Sequence, residues 1–126
     1  MNKWPAAVLA VLIGFGFGAA VVHRVHAQAT PAAYTIAEIE VTDPATYKQY
    51  AEVTGRGIPA AGGRFIVRGG KTLVLNGPPP KQIAVIQWES LEKARAFFES
   101  EAYKQLIPIR DKASTFRAFI VEGVAP

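Results

Sequence analysis

Gly62-Gly63-Arg64-Phe65-Ile66-Val67-Arg68-Gly69-Gly70 is a short apolar run with an arginine near each end and a glycine pair on both sides. Aromatic and β-branched residues favour an extended backbone, so the run predicts a strand. Glycine tolerates positive φ angles, so each glycine pair predicts a turn. We expect the first pair to lead out of a helix and the second to form a tight hairpin. In a regular strand Arg64, Ile66 and Arg68 would share one face.

The residues before this run predict a strand and then a helix. Apolar and polar residues alternate over Tyr34–Val41, which is typical of a strand with unlike faces. Asp43-Pro44 combines a good N-cap with a proline suited to the first helical position. Tyr47 and Tyr50 follow on one helical face. They either line a ligand site or pack in the core, and their spacing favours the core. Pro59 is expected to end the helix.

The residues after the run predict further strands, a rigid loop and a second helical region. Three consecutive prolines exclude a helix or a central strand from the loop. Ser90 and Ser100 are suitable N-caps ahead of apolar residues, and Pro108 is expected to kink or restart the second helical piece. The predicted strands are Lys71–Leu75, Gln82–Trp88 and Thr115–Glu122, and the loop is Asn76–Pro80.

This order predicts an α+β fold of the ferredoxin-like βαββαβ type, formed by residues 28–126 as a single domain. Its four-stranded antiparallel sheet would carry both helices on one face. The uncovered face is too apolar to be left in water and too charged for an ordinary core. It is predicted to hold Tyr34, Ile36, Glu38, Glu40, Arg64, Ile66, Arg68, Arg117, Phe119 and Val121.

Stacking two copies of this face against each other resolves both difficulties. The isoleucines, Tyr34 and Phe119 would interdigitate. Glu38 or Glu40 would meet an arginine of the partner, and this pairing matters because an isolated buried charge costs several kcal/mol. We therefore predict a homodimer built sheet to sheet, the arrangement called a dimeric α/β barrel.

The first 27 residues have the layout of a secretory signal peptide. Lys3 gives a positive start, residues 6–22 carry no charge, and Val25-His26-Ala27 places small residues ahead of Gln28. We expect cleavage after Ala27, a periplasmic or secreted protein, and no membrane span once the leader is removed. The alternative is an uncleaved leader that anchors the protein in a membrane.

Residues 28–126 carry little net charge and lack two reactive residue types. The chain has 14 basic and 10 acidic residues, and Lys3 and Arg24 lie in the leader, which leaves 12 basic and 10 acidic residues and a net charge of +2. These residues contain no cluster of lysines and arginines of the kind that binds nucleic acid, so we do not expect nucleic acid as a partner. Both histidines lie in the leader and cysteine is absent, which disfavours Ser-His-Asp and Cys-His catalysis and nearly all zinc, copper and haem ligation. We expect no metal and no cofactor.

Seven short motifs occur together between residues 33 and 124. They are Ala33-Tyr34, Val41-Thr42-Asp43-Pro44, Gly62-Gly63-Arg64, Val67-Arg68-Gly69-Gly70, Ser90-Leu91-Glu92-Lys93-Ala94, Ser100-Glu101-Ala102-Tyr103 and Val121-Glu122-Gly123. In combination they resemble the bacterial family known as domain of unknown function 1330. The resemblance implies the dimeric α/β-barrel superfamily, in agreement with the predicted homodimer, but no particular reaction. The leader departs from the family pattern, in which most members begin close to the first strand.

The residues leave two kinds of function open. One is a small-molecule site in the barrel or under the helices. It would belong to a binding protein or to a cofactor-free, monooxygenase-like or isomerase-like enzyme acting on a small organic acid or lactone; such enzymes occur in the superfamily that the chain resembles. The other is a non-catalytic module, namely a dimeric periplasmic binding or structural protein.

Four residues are the best candidates for ligand contacts. Two arginines can hold a carboxylate, and two aromatic residues can form an apolar wall with a polar tip. Each also has a structural interpretation, such as an ion pair for an arginine or a core position for the tryptophan. The candidates are Arg68, Trp88, Tyr103 and Arg110.

Overall fold

A computed structural model of the protein describes residues 29–126, so the predicted leader lies outside the described residues. Four antiparallel strands form one sheet in the order β2-β3-β1-β4. This is the strand order of the ferredoxin-like fold, and the predicted fold class is confirmed. The elements are β1 Ala33–Val41, α1 Pro44–Ala60, β2 Arg64–Arg68, β3 Gln82–Trp88, α2 Leu91–Phe98, α3 Glu101–Lys104, α4 Ile107–Ala113 and β4 Ser114–Glu122.

The helices cover one face of the sheet, as predicted. Along the central strand β1, buried residues alternate with more accessible ones, so Thr35, Ala37 and Ile39 face the helices while Tyr34 and Ile36 face away. The described residues contain no helix long and apolar enough to cross a membrane.

The predicted helix N-caps are confirmed. Asp43 begins α1 by accepting hydrogen bonds from the backbone N–H of Thr46, at 3.3 Å, and from its hydroxyl, at 2.6 Å. The serines at positions 90 and 100 cap α2 and α3 in the same way. Pro59 was expected to end α1, but it lies inside the last turn and the helix continues to Ala60. At that position proline removes only one hydrogen bond, from a turn that is about to end.

A β-bulge in β2 overturns one prediction. Phe65 pairs with Ile86 in β3, but the next pair is Val67 with Val85, which leaves Ile66 as an extra residue. The extra residue reverses the direction in which the later side chains of the strand point. Arg68, opposite Ala84, therefore lies on the helix-covered face, and its predicted place on the uncovered face is wrong.

The predicted tight hairpin and the strand Lys71–Leu75 are also wrong. Residues 69–81 form an irregular connection between β2 and β3. Gly69 and Gly70 do adopt positive φ angles, of 68° and 110°. Leu73 and Leu75 are 84% and 91% exposed, so the segment has no apolar face packed on the core that would hold it as a strand.

Trp88 is the largest fully buried side chain in the described part of the protein, at 1% exposure. It packs on Phe97 and Phe98 and donates a hydrogen bond from Nε1 to the hydroxyl of Thr35 at 3.0 Å. Gly63 passes directly beside it. A Cβ atom at this position would lie 2.7 Å from Cγ2 of Ile58 and 2.9 Å from Cη2 of Trp88. The glycine is therefore required because the backbone closely approaches the core.

We expect Gly63→Ala to lower the free energy of unfolding by about 1–3 kcal/mol, since neither Ile58 nor Trp88 can move without disturbing the core. Gly57→Ala is the matched control. Its Cβ would sit 3.6 Å from Phe97, an ordinary contact, and alanine is the better helix former. We expect Gly57→Ala to raise stability by about 0.5–1 kcal/mol. Urea denaturation measures both, and equal effects would contradict the close packing of Gly63.

Candidate functional site

A row of small residues crosses the middle of the helix-covered face. Ala37 of β1 pairs with Ala84 of β3 on one side and with Ala118 of β4 on the other. The same row ends at Arg68 on the edge strand β2. Methyl side chains fill little of the space between a sheet and the helices above it. The row therefore forms the floor of a trough that starts at an arginine.

A chamber of about 270 Å³ lies over the first half of this trough, between the sheet and α1. Helix α1 forms its roof with residues on one face, because positions three and four apart share a helix face. The lining is mostly apolar and aromatic. It consists of Thr35, Ala37, Ile39, Tyr47, Tyr50, Ala51, Thr54, Ile58, Phe65, Arg68, Gln82, Ala84, Ile86, Phe98 and Phe116.

Arg68 brings a positive charge to this lining. Its Cζ lies 4.5 Å from the ring centroid of Phe65, a cation–π contact. Its guanidinium also lies close against α1, since a Cβ atom at Gly55 would be 3.2 Å from Nη2. Among the described residues, Arg68 has no carboxylate within salt-bridge distance. The guanidinium is thus available to an anion.

Two tyrosines form a buried hydrogen bond beside the chamber. The hydroxyls of Tyr50 and Tyr103 are 2.9 Å apart, and the two residues are only 6% and 4% exposed. Arg110 donates a second hydrogen bond, from Nη1 to the Tyr103 hydroxyl at 3.2 Å. The three residues form a polar chain through an otherwise aromatic region.

Burial raises the pKa of Tyr50 well above the ordinary value for tyrosine, and the neighbouring Tyr103 adds to the effect. Burial also raises the pKa of Tyr47. For Arg110, burial lowers the pKa, but the hydrogen bonds to Asp111 and Tyr103 outweigh it and the net shift is upward. Tyr47 and Tyr50 are therefore neutral, and Arg110 is charged, at physiological pH.

A second, more open cavity of about 590 Å³ lies over the other half of the trough. Tyr103 and Arg110 line it, together with Ala118 and residues of α2 and β4. Thr35, Phe98 and Phe116 belong to both linings, and the two phenylalanine rings form the partition between the two cavities. The guanidinium of Arg110 lies 4.5 Å over the Phe116 ring and pairs with Asp111 at 2.9 Å.

The four predicted ligand contacts thus occupy three places. Arg68 lines the chamber under α1, Tyr103 and Arg110 line the second cavity, and Trp88 lines neither. Tyr103 and Arg110 are brought together, whereas the two arginines line different cavities. Trp88 lies in the main core cluster.

The predicted dimer-face residues other than Ile66 share the uncovered face. Glu38 pairs in register with Arg117, and Ile36 pairs with Phe119. Arg64 donates a hydrogen bond to Gln87 at 2.9 Å on the same face. Ile66, the extra residue of the bulge, is 44% exposed, as is Phe119. The remaining predicted residue, Tyr34, lies opposite Val121.

The alanine row was not foreseen. The signal is present in the sequence as an alanine near the middle of three predicted strands, but its meaning depends on the register that brings the three together. Tyr50 was expected to be an ordinary core residue, and only the packing of the helices places its hydroxyl against Tyr103. In the described residues no cluster of three or more His, Cys, Asp or Glu side chains is arranged to hold a metal ion.

Comparisons with known proteins add a family and a fold. The model of the family described as domain of unknown function (DUF1330) matches residues 32–124. No curated protein shows significant sequence similarity to the chain.

Solved structures share the fold at low sequence identity. The RPA0582 protein of unknown function from Rhodopseudomonas palustris is 15% identical, with a TM-score of 0.59, over 76% of this chain and 85% of that one. SnoaB, a cofactor-independent oxygenase from Streptomyces nogalater, is 13% identical, with a TM-score of 0.53, over 77% and 97%. A possible oxidoreductase from Bacteroides thetaiotaomicron is 12% identical, with a TM-score of 0.50, over 75% and 100%. At these identities the likeness concerns the fold alone.

The burial of Tyr50 predicts a loss of stability at alkaline pH. Because burial raises the folded-state pKa of Tyr50, its contribution to stability is complete below about pH 10, where unfolded tyrosine ionises, and is lost as the pH rises further. The slope from this one group is up to about 1.4 kcal/mol per pH unit. We expect Tyr50→Phe to make the decline above pH 10 shallower in urea denaturation. An unchanged slope would contradict the assigned burial of Tyr50.

Proposed function

We propose that this protein, which belongs to the DUF1330 family, binds a small, largely apolar organic anion in the chamber under α1. The observation that carries the proposal is the guanidinium of Arg68 at an aromatic chamber without a carboxylate partner among the described residues. An apolar pocket with a few converging polar groups is the usual form of a small-molecule site.

The lining limits the class of ligand. A volume of about 270 Å³ lies just below the usual range for small-molecule sites, about 300–1,000 Å³, so one or two rings fill it. Aromatic side chains such as Tyr47 and Phe65 favour a planar apolar body. Arg68 favours a carboxylate or another oxyanion, to which a guanidinium can donate two parallel hydrogen bonds.

We expect 2-naphthoate to bind more tightly than its neutral analogue 2-naphthamide, and Arg68→Gln to remove that preference. Hydrogen bonds to charged groups contribute about 1.5–3 kcal/mol, so the affinity for 2-naphthoate should fall about 10- to 100-fold. Isothermal titration calorimetry at low salt measures the change.

Arg64→Gln is the matched control, because Arg64 lies on the same strand and carries the same charge but faces away from the helices. It should leave the affinity for 2-naphthoate unchanged. An equal loss of affinity in the Arg68→Gln and Arg64→Gln variants would indicate a general effect of net charge. If 2-naphthoate does not bind to the unmodified protein, the proposal is contradicted for bicyclic acids.

A cofactor-free enzyme acting on a small organic acid or lactone is the second candidate. The paired hydroxyls of Tyr50 and Tyr103 favour it, because they place proton-bearing groups beside the chamber where acid–base chemistry is otherwise scarce. Fold likeness to a cofactor-independent oxygenase is compatible with it but does not transfer the activity. Oxygen uptake or a changed acid recovered from the same titrations would favour the enzyme, and an unchanged acid would favour binding alone.

We also propose that two copies associate through their uncovered sheet faces. This face combines partly exposed apolar residues, among them Phe119 and Val121 at 44% exposure each, with glutamates and arginines of opposite charge. A second copy supplies both the apolar surface and the complementary charges that such a face needs.

We expect the protein to elute as a dimer at micromolar concentration, and Val121→Asp to convert it to a monomer, because the added carboxylate would be buried without a partner. Leu75→Asp is the control, since Leu75 lies in the loop between β2 and β3 and is 91% exposed. Light scattering after size exclusion measures the mass. A monomeric unmodified protein would contradict the proposed dimer.

For the leader we propose cleavage after Ala27 and export to the periplasm or medium. Intact mass and N-terminal sequencing of the protein isolated from an expressing bacterium should show Gln28 as the first residue. An intact leader in the membrane fraction would instead favour the anchored alternative.

A further inference from the structure

The hydroxyls of Tyr50 and Tyr103 carry two protons, but their mutual hydrogen bond uses only one. Either hydroxyl can be the donor in that bond, from the distance alone. Among the described residues, the remaining proton has no other acceptor, since Tyr103 makes its only further hydrogen bond as an acceptor, from Arg110. A buried O–H without an acceptor costs free energy. Which of the two hydroxyls donates in the Tyr50–Tyr103 hydrogen bond therefore determines which of them still needs an acceptor.

Arg110 sets that direction. A guanidinium can only donate, so the Tyr103 oxygen accepts from Arg110. A hydroxyl that accepts from a cation becomes a stronger donor, because hydrogen bonds in a chain polarise one another. The arrangement in which Tyr103 donates to Tyr50 is therefore favoured over the reverse. The free proton is then that of Tyr50.

The two tyrosines differ in what they line. Tyr50 lines the chamber under α1 and Tyr103 does not, whereas Tyr103 lines the second cavity and Tyr50 does not. We infer that the Tyr50 hydroxyl donates a hydrogen bond to an oxygen of the ligand in the chamber. Arg110, acting through Tyr103, is a positioning residue that strengthens this donor. The inference rests on the proposed function, because it concerns the same chamber.

The donor defines the ligand more narrowly. Arg68 and Tyr50 both line the chamber. Arg68 can only donate, and the Tyr50 oxygen already accepts from Tyr103 in the favoured direction, so both residues offer a donor to the ligand and the oxygens that they contact are acceptors. A phenolate, an enolate or a carboxylate meets that requirement, and a ligand presenting only N–H groups there does not. The raised pKa of Tyr50 agrees with this role, because the hydroxyl keeps its proton when an anion binds.

4-Nitrophenol tests the inference, because its phenolate absorbs visible light and its neutral form does not. At a pH slightly below the pKa of the free probe, binding to the protein should increase the phenolate band. Tyr50→Phe should lower the ratio of bound phenolate to bound neutral phenol about tenfold, as expected for the loss of one hydrogen bond to a charged oxygen. Tyr103→Phe should lower this ratio by a smaller factor, because it removes the link between Arg110 and the Tyr50 hydroxyl but leaves that hydroxyl, Arg68 and Arg110 in place. Arg64→Gln should change nothing.

Failure of the inference and failure of the proposed function give different results. If the probe binds and Tyr50→Phe leaves the bound phenolate fraction unchanged, the hydroxyl does not contact the ligand oxygen and the inference is overturned. If Tyr103→Phe lowers that fraction more than Tyr50→Phe does, the chain runs in the opposite direction, which also overturns it. If the folded protein binds neither 4-nitrophenol nor 2-naphthoate, the proposed function itself fails. Circular dichroism establishes that each variant is folded.

Discussion

Three alanines side by side on adjacent strands prevent the helices from filling the space above the middle of the sheet. Ala84, Ala37 and Ala118 are adjacent because of the strand register, and large side chains flank the row on both sides. Toward one end of the strands the helices rest on the cluster around Trp88. Toward the other end, Ile39 and Phe116 of the sheet pack with Tyr47 of α1 in a second cluster that also includes Ala37 and Ala84. Protein interiors are otherwise close-packed, so a row of methyl groups between two bulky clusters leaves a chamber.

The bulge at Ile66 determines what this chamber contains. Without the extra residue, Arg68 would share the uncovered face with Arg64, and the chamber would have no charged group at that end. With it, two arginines four positions apart on one short strand face opposite sides of the sheet. One becomes a candidate for an anion site and the other for a subunit interface. β-Bulges are frequent next to functional sites because they redirect a side chain in this way.

The hydrogen-bonded chain of two tyrosines and an arginine beside the chamber also depends on tertiary structure. Tyr50, Tyr103 and Arg110 come from α1, α3 and α4, so three helices must be in place before the chain of hydrogen bonds can form. Because Arg110 keeps its positive charge and Tyr50 keeps its proton, the chain is polarised toward the chamber. The geometry of the helical layer and the chemistry of the chamber are therefore linked through one pair of hydroxyls.

The amino-acid sequence alone was sufficient to predict the fold class, most element boundaries and the helix N-caps, since these depend on local periodicity and on residues such as Asp43, Ser90 and Ser100. It also shows that residues 28–126 contain neither histidine nor cysteine. It predicted the loop Asn76–Pro80 but not the irregular backbone of Lys71–Leu75, the bulge at Ile66 or the alanine row. These features emerge only in the folded chain, because a bulge and a cross-strand row exist only relative to the neighbouring strands, and a buried tyrosine acquires its partner only when distant helices pack together.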